Sequence, residues 1–201
     1  MEFFDETSLF PFALPDCGLS TKQMSGKKKE KFQITLGLAC NADGSEKLNL
    51  IQFTLASLRN PDASKSKPLN ISGSFAVAVY LLTLWVKKFD FKMHCSNGHV
   101  CLFINNFSGH SISYQPTNIQ VEFFEPNMTP FVQPCDAGII CCFKALYHKN
   151  FCQCAIDLDE GGEHEIYILN ILEGMMMAWR AWDQVSSETM KHCWNHTQIQ
   201  L

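Results

Sequence analysis

The chain has 201 residues, 46% of them hydrophobic, and a formal net charge of −4. That is enough apolar material for one globular domain with a sizeable core, while the acidic balance excludes a global pull toward nucleic acid and confines any such contact to a local patch. No charged-then-apolar leader opens the sequence, and the longest apolar run, Phe75 to Val86, is broken by Thr83 and too short to span a bilayer, so the expectation is a soluble intracellular protein.

In chain order, Met1 to Phe4 supply a very short strand that carries Asp5. A loop rich in Pro, Gly and Ser follows over residues 8–26, then the one dense basic cluster, Lys27, Lys28, Lys29 and Lys31. Such a cluster suits contacts to a phosphate backbone; a solvated strand entrance is the competing reading. Gln33 to Cys40 and Leu48 to Leu55 read as strands joined by the turn Asn41-Ala42-Asp43-Gly44, in which Gly44 is free to take positive φ. After a loop over 56–73, Phe75 to Met93 reads as a helix with Val79, Leu82, Val86 and Phe89 on one face.

Val100 to Ile104 is continuously apolar, as a strand buried on both faces should be, and it delivers Asn105 and Asn106 at its carboxyl end. Ile119, Val121 and Phe123 alternate with Gln120 and Glu122, a half-buried strand that Pro126 stops. Asp136 precedes an apolar stripe at helical spacing, Ile139, Ile140, Phe143 and Tyr147. A carboxylate in a first helical turn is favoured in its ionised form by the dipole, ready to hold a cation.

Asp157 to Glu163 reads as a solvated acidic loop, since it lacks the alternating ligands of a calcium loop. Ile168, Leu172, Met175, Trp179 and Trp182 then line a helix face assigned to the core. Ser186 caps a last helix with Glu188 in its first turn and His192 and His196 on one side. The 10 cysteines show no paired C-x-x-C knuckles. Zinc sets drawn from Cys141, Cys142, His148, Cys152 and Cys154, or from His192, Cys193 and His196, lack the double spacing such sites need, so reduced, structural cysteines are expected.

Several of these segments resemble the catalytic domain of DDE-superfamily transposases of the pogo, Tigger and centromere-protein-B lineage. The family signatures are D-E-T, here Asp5-Glu6-Thr7; the hairpin turn N-A-D-G-S-E-K, Asn41 to Lys47; L-D-N-x-x-x-H, here Ile104-Asn105-Asn106 with His110; and Q-P-x-D-x-G-I with F-K and an aromatic, here Gln133 to Ile139 with Phe143-Lys144 and Tyr147. The resemblance implies an α/β, ribonuclease-H-like fold: a five-stranded mixed sheet flanked by helices, with the first and fourth strands as neighbours. It implies a site at Asp5, position 105 and Asp136, where three carboxylates would hold two Mg2+ or Mn2+ ions for in-line phosphoryl displacement.

Two departures matter. Gln33 stands where an arginine commonly follows the lysine cluster, and the middle carboxylate is Asn105, neutral and able to offer one carbonyl oxygen. The family's helix-turn-helix region does not precede Asp5 in this sequence, so 1–201 is expected to be a single catalytic-type domain.

The expectation is therefore a transposase-derived, DNA-binding domain of the nucleus, catalytically impaired and binding Mg2+ or Mn2+ weakly, with Lys27, Lys28, Lys29 and Lys31 on DNA. No membrane partner is expected, and a homodimer stays open. The alternatives are an active Mg-dependent endonuclease or strand transferase, and a non-catalytic protein-interaction scaffold.

Overall fold

The computed structural model describes residues 1–12, 32–48, 51–53, 71–106, 110–124 and 133–197. The sheet is mixed, in the order β3-β2-β1-β4-β5. Four strands of five to eight residues carry it: β1 (Glu2–Leu9), β2 (Ile34–Asn41), β4 (Val100–Ile104) and β5 (Ile119–Phe123). β3 (Ile51–Phe53) adds a three-residue edge. β1 runs antiparallel to β2 and parallel to β4, and β4 is parallel to β5. Three strands, a helix, two strands and further helices follow one another along the chain, an order consistent with a ribonuclease-H-like sheet.

β1 is longer than its sequence suggests. It is not the very short strand expected ahead of Asp5 but eight residues, paired with β2 from Glu2 opposite Asn41 to Leu9 opposite Ile34. Its polar residues hid this, because Glu2, Asp5 and Thr7 lie buried in a central strand. The parallel pairing to β4 ends sooner, at Phe4 opposite Ile104. Asp5 is thus the first residue of β1 past the end of β4.

Alternation along β1 sends Phe3 and Phe4 to opposite faces. On one face α1 (Ile71–Cys95) packs Leu82, Val86 and Phe89 on Phe4, Ala39, Leu102 and Ile104. On the other, Phe3, Leu36 and Leu38 meet Phe143, Tyr147, Trp182 and Trp194. Those come from α2 (Ile140–Glu160), α3 (Ile171–Gln184) and α4 (Ser187–His196), and a widened turn, Cys135–Ile139, adds Cys135 and Ile139 to the same core. The hairpin turn locks to the last two helices: Gly44 has φ 71°, and a Cβ there would lie 2.3 Å from the Ser187 carbonyl oxygen. Beside it, Lys47 Nζ donates to the carbonyls of Trp182, at 3.1 Å, and Val185, at 3.0 Å, satisfying the end of α3.

Two assignments change in the last third. Asp157 to Glu160 are the final turn of α2 rather than a loop, closed by Gly161 N–H donating to the Asp157 carbonyl. The buried face of α3 is Gly174, Met177, Ala178, Ala181 and Trp182, not the stripe through Ile168, Leu172 and Trp179, which are 58%, 62% and 58% exposed. Small residues win that face because α3 lies close to its neighbours. A Cβ on Gly174 would stand 3.1 Å from Pro11 and 3.5 Å from the Tyr147 hydroxyl.

Candidate active site

The site forms where β1 outruns β4. Asp5 points to the same face as Phe3, and Asn105, one residue past β4, points to it as well. The Asn105 side-chain amide donates from Nδ2 to Asp5 Oδ1 at 3.2 Å. The Glu6 backbone N–H donates to the same oxygen at 2.8 Å. Asp136 lies in the first turn of the widened segment, close enough for its charge to bear on Asp5. The structure brings Asp5, Asn105 and Asp136 together from three elements distant in sequence.

The widened turn is set by its own sequence. Pro134 precedes it and needs no N–H donor there. Cys135 is fully buried under β2, where its thiol meets that of Cys40, and burial pushes the Cys135 thiol well above its usual range. Gly138 lets α4 close in, since a Cβ would lie 3.0 Å from Cys193 Sγ. These contacts fix the flank on which Asp136 sits.

The electrostatics run against ionisation. Asp5 is 3% exposed; burial first, and then the Asp136 charge, push its carboxyl up to about 7, against the smaller pull of the Glu6 N–H. Burial also raises Asp136, with Lys144 opposing. Asp136 itself nevertheless stays exposed in that first turn, where the helix dipole favours its ionised form.

Behind Asn105 lies His110, 4% exposed. Its Nδ1 is 3.1 Å from the Asn105 backbone carbonyl, which can only accept, so Nδ1 carries a proton. Its Nε2 faces Glu6 Oε1 at 3.6 Å. Burial pulls His110 downward, but the Glu6 carboxylate, the Asn105 carbonyl and the Asp5 charge together hold it above its ordinary value. Glu6, the middle residue of the D-E-T signature, faces His110, a part that the motif alone does not announce. A groove of about 840 Å³, lined by Asn106, His110, Tyr114 and Phe123 among others, opens alongside.

Among the described residues, no group of three or more His, Cys, Asp or Glu is arranged to hold a metal ion. The donor set at Asp5 does not fit a two-ion centre. It offers two carboxylates, of which the buried Asp5 is shifted toward the protonated form, and an amide that turns its N–H toward Asp5. Asn105 Oδ1 is buried without a hydrogen-bond partner among the described residues, one neutral oxygen where the chemistry calls for a bridging anion. Lys27, Lys28, Lys29 and Lys31 lie outside the described residues. Among the described helices, none is long and apolar enough to cross a membrane.

A mixed sheet with Asp5 in its central strand, Asn105 just past the end of β4 and Asp136 on a nearby helical turn defines an α/β domain consistent with a ribonuclease-H-like fold. The comparisons with known proteins make the class specific: the family model for the DDE superfamily endonuclease matches residues 31–194, and the chain belongs to that family. ARS-binding protein 1 of Schizosaccharomyces pombe is 25% identical over 94% of this chain and 39% of its own length. Human Tigger transposable element-derived protein 7 is 23% identical over 96% of this chain and 41% of its own, and human Major centromere autoantigen B is 25% identical over 94% and 31%. The chain spans well under half the length of these relatives. No solved structure matches it.

Proposed function

We propose that residues 1–201 act as one transposase-derived, DNA-binding domain with a ribonuclease-H-like fold, whose strand-cleaving chemistry is impaired at Asn105. The observation that carries this reading is the amide–carboxylate hydrogen bond between Asn105 and Asp5. It supports a site settled around one shared proton donor rather than around divalent cations. Binding of Mg2+ or Mn2+ is weak, with at most one ion held by Asp5 and Asp136.

DNA as the partner is supported by membership of an endonuclease family and by one relative named as ARS-binding. A relative named for the centromere supports a nuclear location. Lys27, Lys28, Lys29 and Lys31 supply the phosphate contacts of the reading, since the chain as a whole is acidic.

Fluorescence anisotropy with a labelled duplex, across a salt series, tests the binding half. Salt-dependent binding is expected, and neutralising the four lysines should lower the log–log slope by about 3 to 4, at roughly 0.9 per phosphate contact. Absence of any salt-dependent binding refutes it. A supercoiled-plasmid assay with Mg2+ or Mn2+ tests the other half: nicking by the unmodified chain that Asp136→Ala abolishes would show an intact enzyme.

A further inference from the structure

We propose that α3 is the interface of a homodimer in which two copies pack this helix antiparallel about a two-fold axis beside Met176. The inference is independent of what Asp5 and its neighbours do. Its starting point is an apolar stripe left uncovered: Leu172, Met176 and Trp179 are 62%, 47% and 58% exposed, and Ile168, just before the helix, is 58% exposed. Monomeric surfaces rarely leave large contiguous apolar patches open to water, and Trp and Met are among the residues enriched at the centres of interfaces.

The stripe is self-complementary, which points to a second copy rather than to a different partner. Leu172 and Trp179 are two helical turns apart, about 10 Å along the axis, with Met175 and Met176 between them. A two-fold axis midway places Leu172 of each copy against Trp179 of the other and the methionines against themselves. Glu173 and Arg180, both exposed, have the same separation and flank the same side of the stripe. Rotation about an axis perpendicular to the helix keeps that flank on one side and reverses its direction. Glu173 of one copy then meets Arg180 of the other, twice, whereas a parallel two-fold arrangement would put the charged flanks of the two copies on opposite sides and form neither pair. The helix is also a firm platform: its start is closed by a capping box, with Asn170 Oδ1 accepting from Glu173 N–H and Glu173 Oε2 accepting from Asn170 N–H, each at 2.9 Å.

Sedimentation equilibrium of the chain over a concentration series is the test, with thermal melting as the control for folding. The unmodified chain should dimerise, and Trp179→Glu should weaken the dimer by about tenfold or more while melting as before, because the side chain is exposed. Glu173→Arg and Arg180→Glu should each weaken it, and the double reversal should recover it, although the double variant still lacks the capping box. A chain that stays monomeric throughout, a dimer untouched by Trp179→Glu, or a double reversal no better than the single changes overturns the proposal.

Discussion

Asn105 and Asp5, 100 positions apart in the chain, share a single hydrogen bond of 3.2 Å in which the amide is the donor. A carboxylate at position 105 could not make that bond while Asp5 is ionised. Asn105→Asp preserves volume but sets a third acid beside Asp5 and Asp136. In chelator we expect the variant to melt several degrees lower, on the order of 1–3 kcal/mol for a lost partner and an added repulsion. Magnesium should then restore stability in the variant far more than in the unmodified chain. Paired melting curves with and without the ion read this directly, and equal responses would place position 105 outside any cation site.

The same charge balance predicts how stability varies with pH. Asp5 is raised to about 7 in the folded chain from an ordinary value of 3.8. Between those values the folded state binds more protons than the unfolded one, so stability falls as pH rises through that window. His110, also raised, acts in the same sense: its stabilising contribution is complete below its unfolded value near 6.5 and is lost as pH climbs through the folded value. Melting temperature should therefore decline from about pH 5 to pH 8, with a shallower slope in Asp5→Asn. A melting temperature that rises over this range would contradict both assignments.

Metal titration of the unmodified chain should show weak uptake. Asp5, pushed up to about 7 by burial and by the Asp136 charge, must release its proton before it can bind a divalent ion, so whatever affinity exists should grow with pH. Calorimetry at pH 6 and pH 8 checks this, and two tight sites at either pH would revive the enzyme reading.

Gly44→Ala should be among the more damaging single changes outside the core. It adds a Cβ at φ 71° and 2.3 Å from a backbone oxygen of Ser187, an atom that cannot swing aside. Lys47→Met removes a cation from carbonyls at the end of α3, at a cost of about 1–2 kcal/mol. Denaturant melts of both variants should show lower midpoints, with Gly44→Ala the lower of the two.

How much was legible follows from what each signal measures. The strand order and the gathering of Asp5, Asn105 and Asp136 were readable, because apolar runs and short motifs in sequence order constrain topology strongly. The length of β1 was not, because Glu2, Asp5 and Thr7 are buried polar residues in a central strand, against the usual composition of such strands. The buried face of α3 departs from its apolar stripe for a related reason. Period identifies an apolar stripe but not its partner, and here Gly174, Ala178 and Ala181 are buried while Leu172 and Trp179 are not. Those small residues at 174, 178 and 181 were the available signal.

The widened turn at Cys135–Ile139 holds five residues where an ordinary helix start would wind fewer. Each helical residue swings a side chain by about 100°, so deleting one position there would rotate Asp136 toward a different quadrant while leaving it an aspartate. Loss of function at this site can therefore be written in two ways, by swapping an acid for an amide or by misaiming an acid that is still present. A survey of sequences that counts acidic letters would see the first kind of decay and overlook the second.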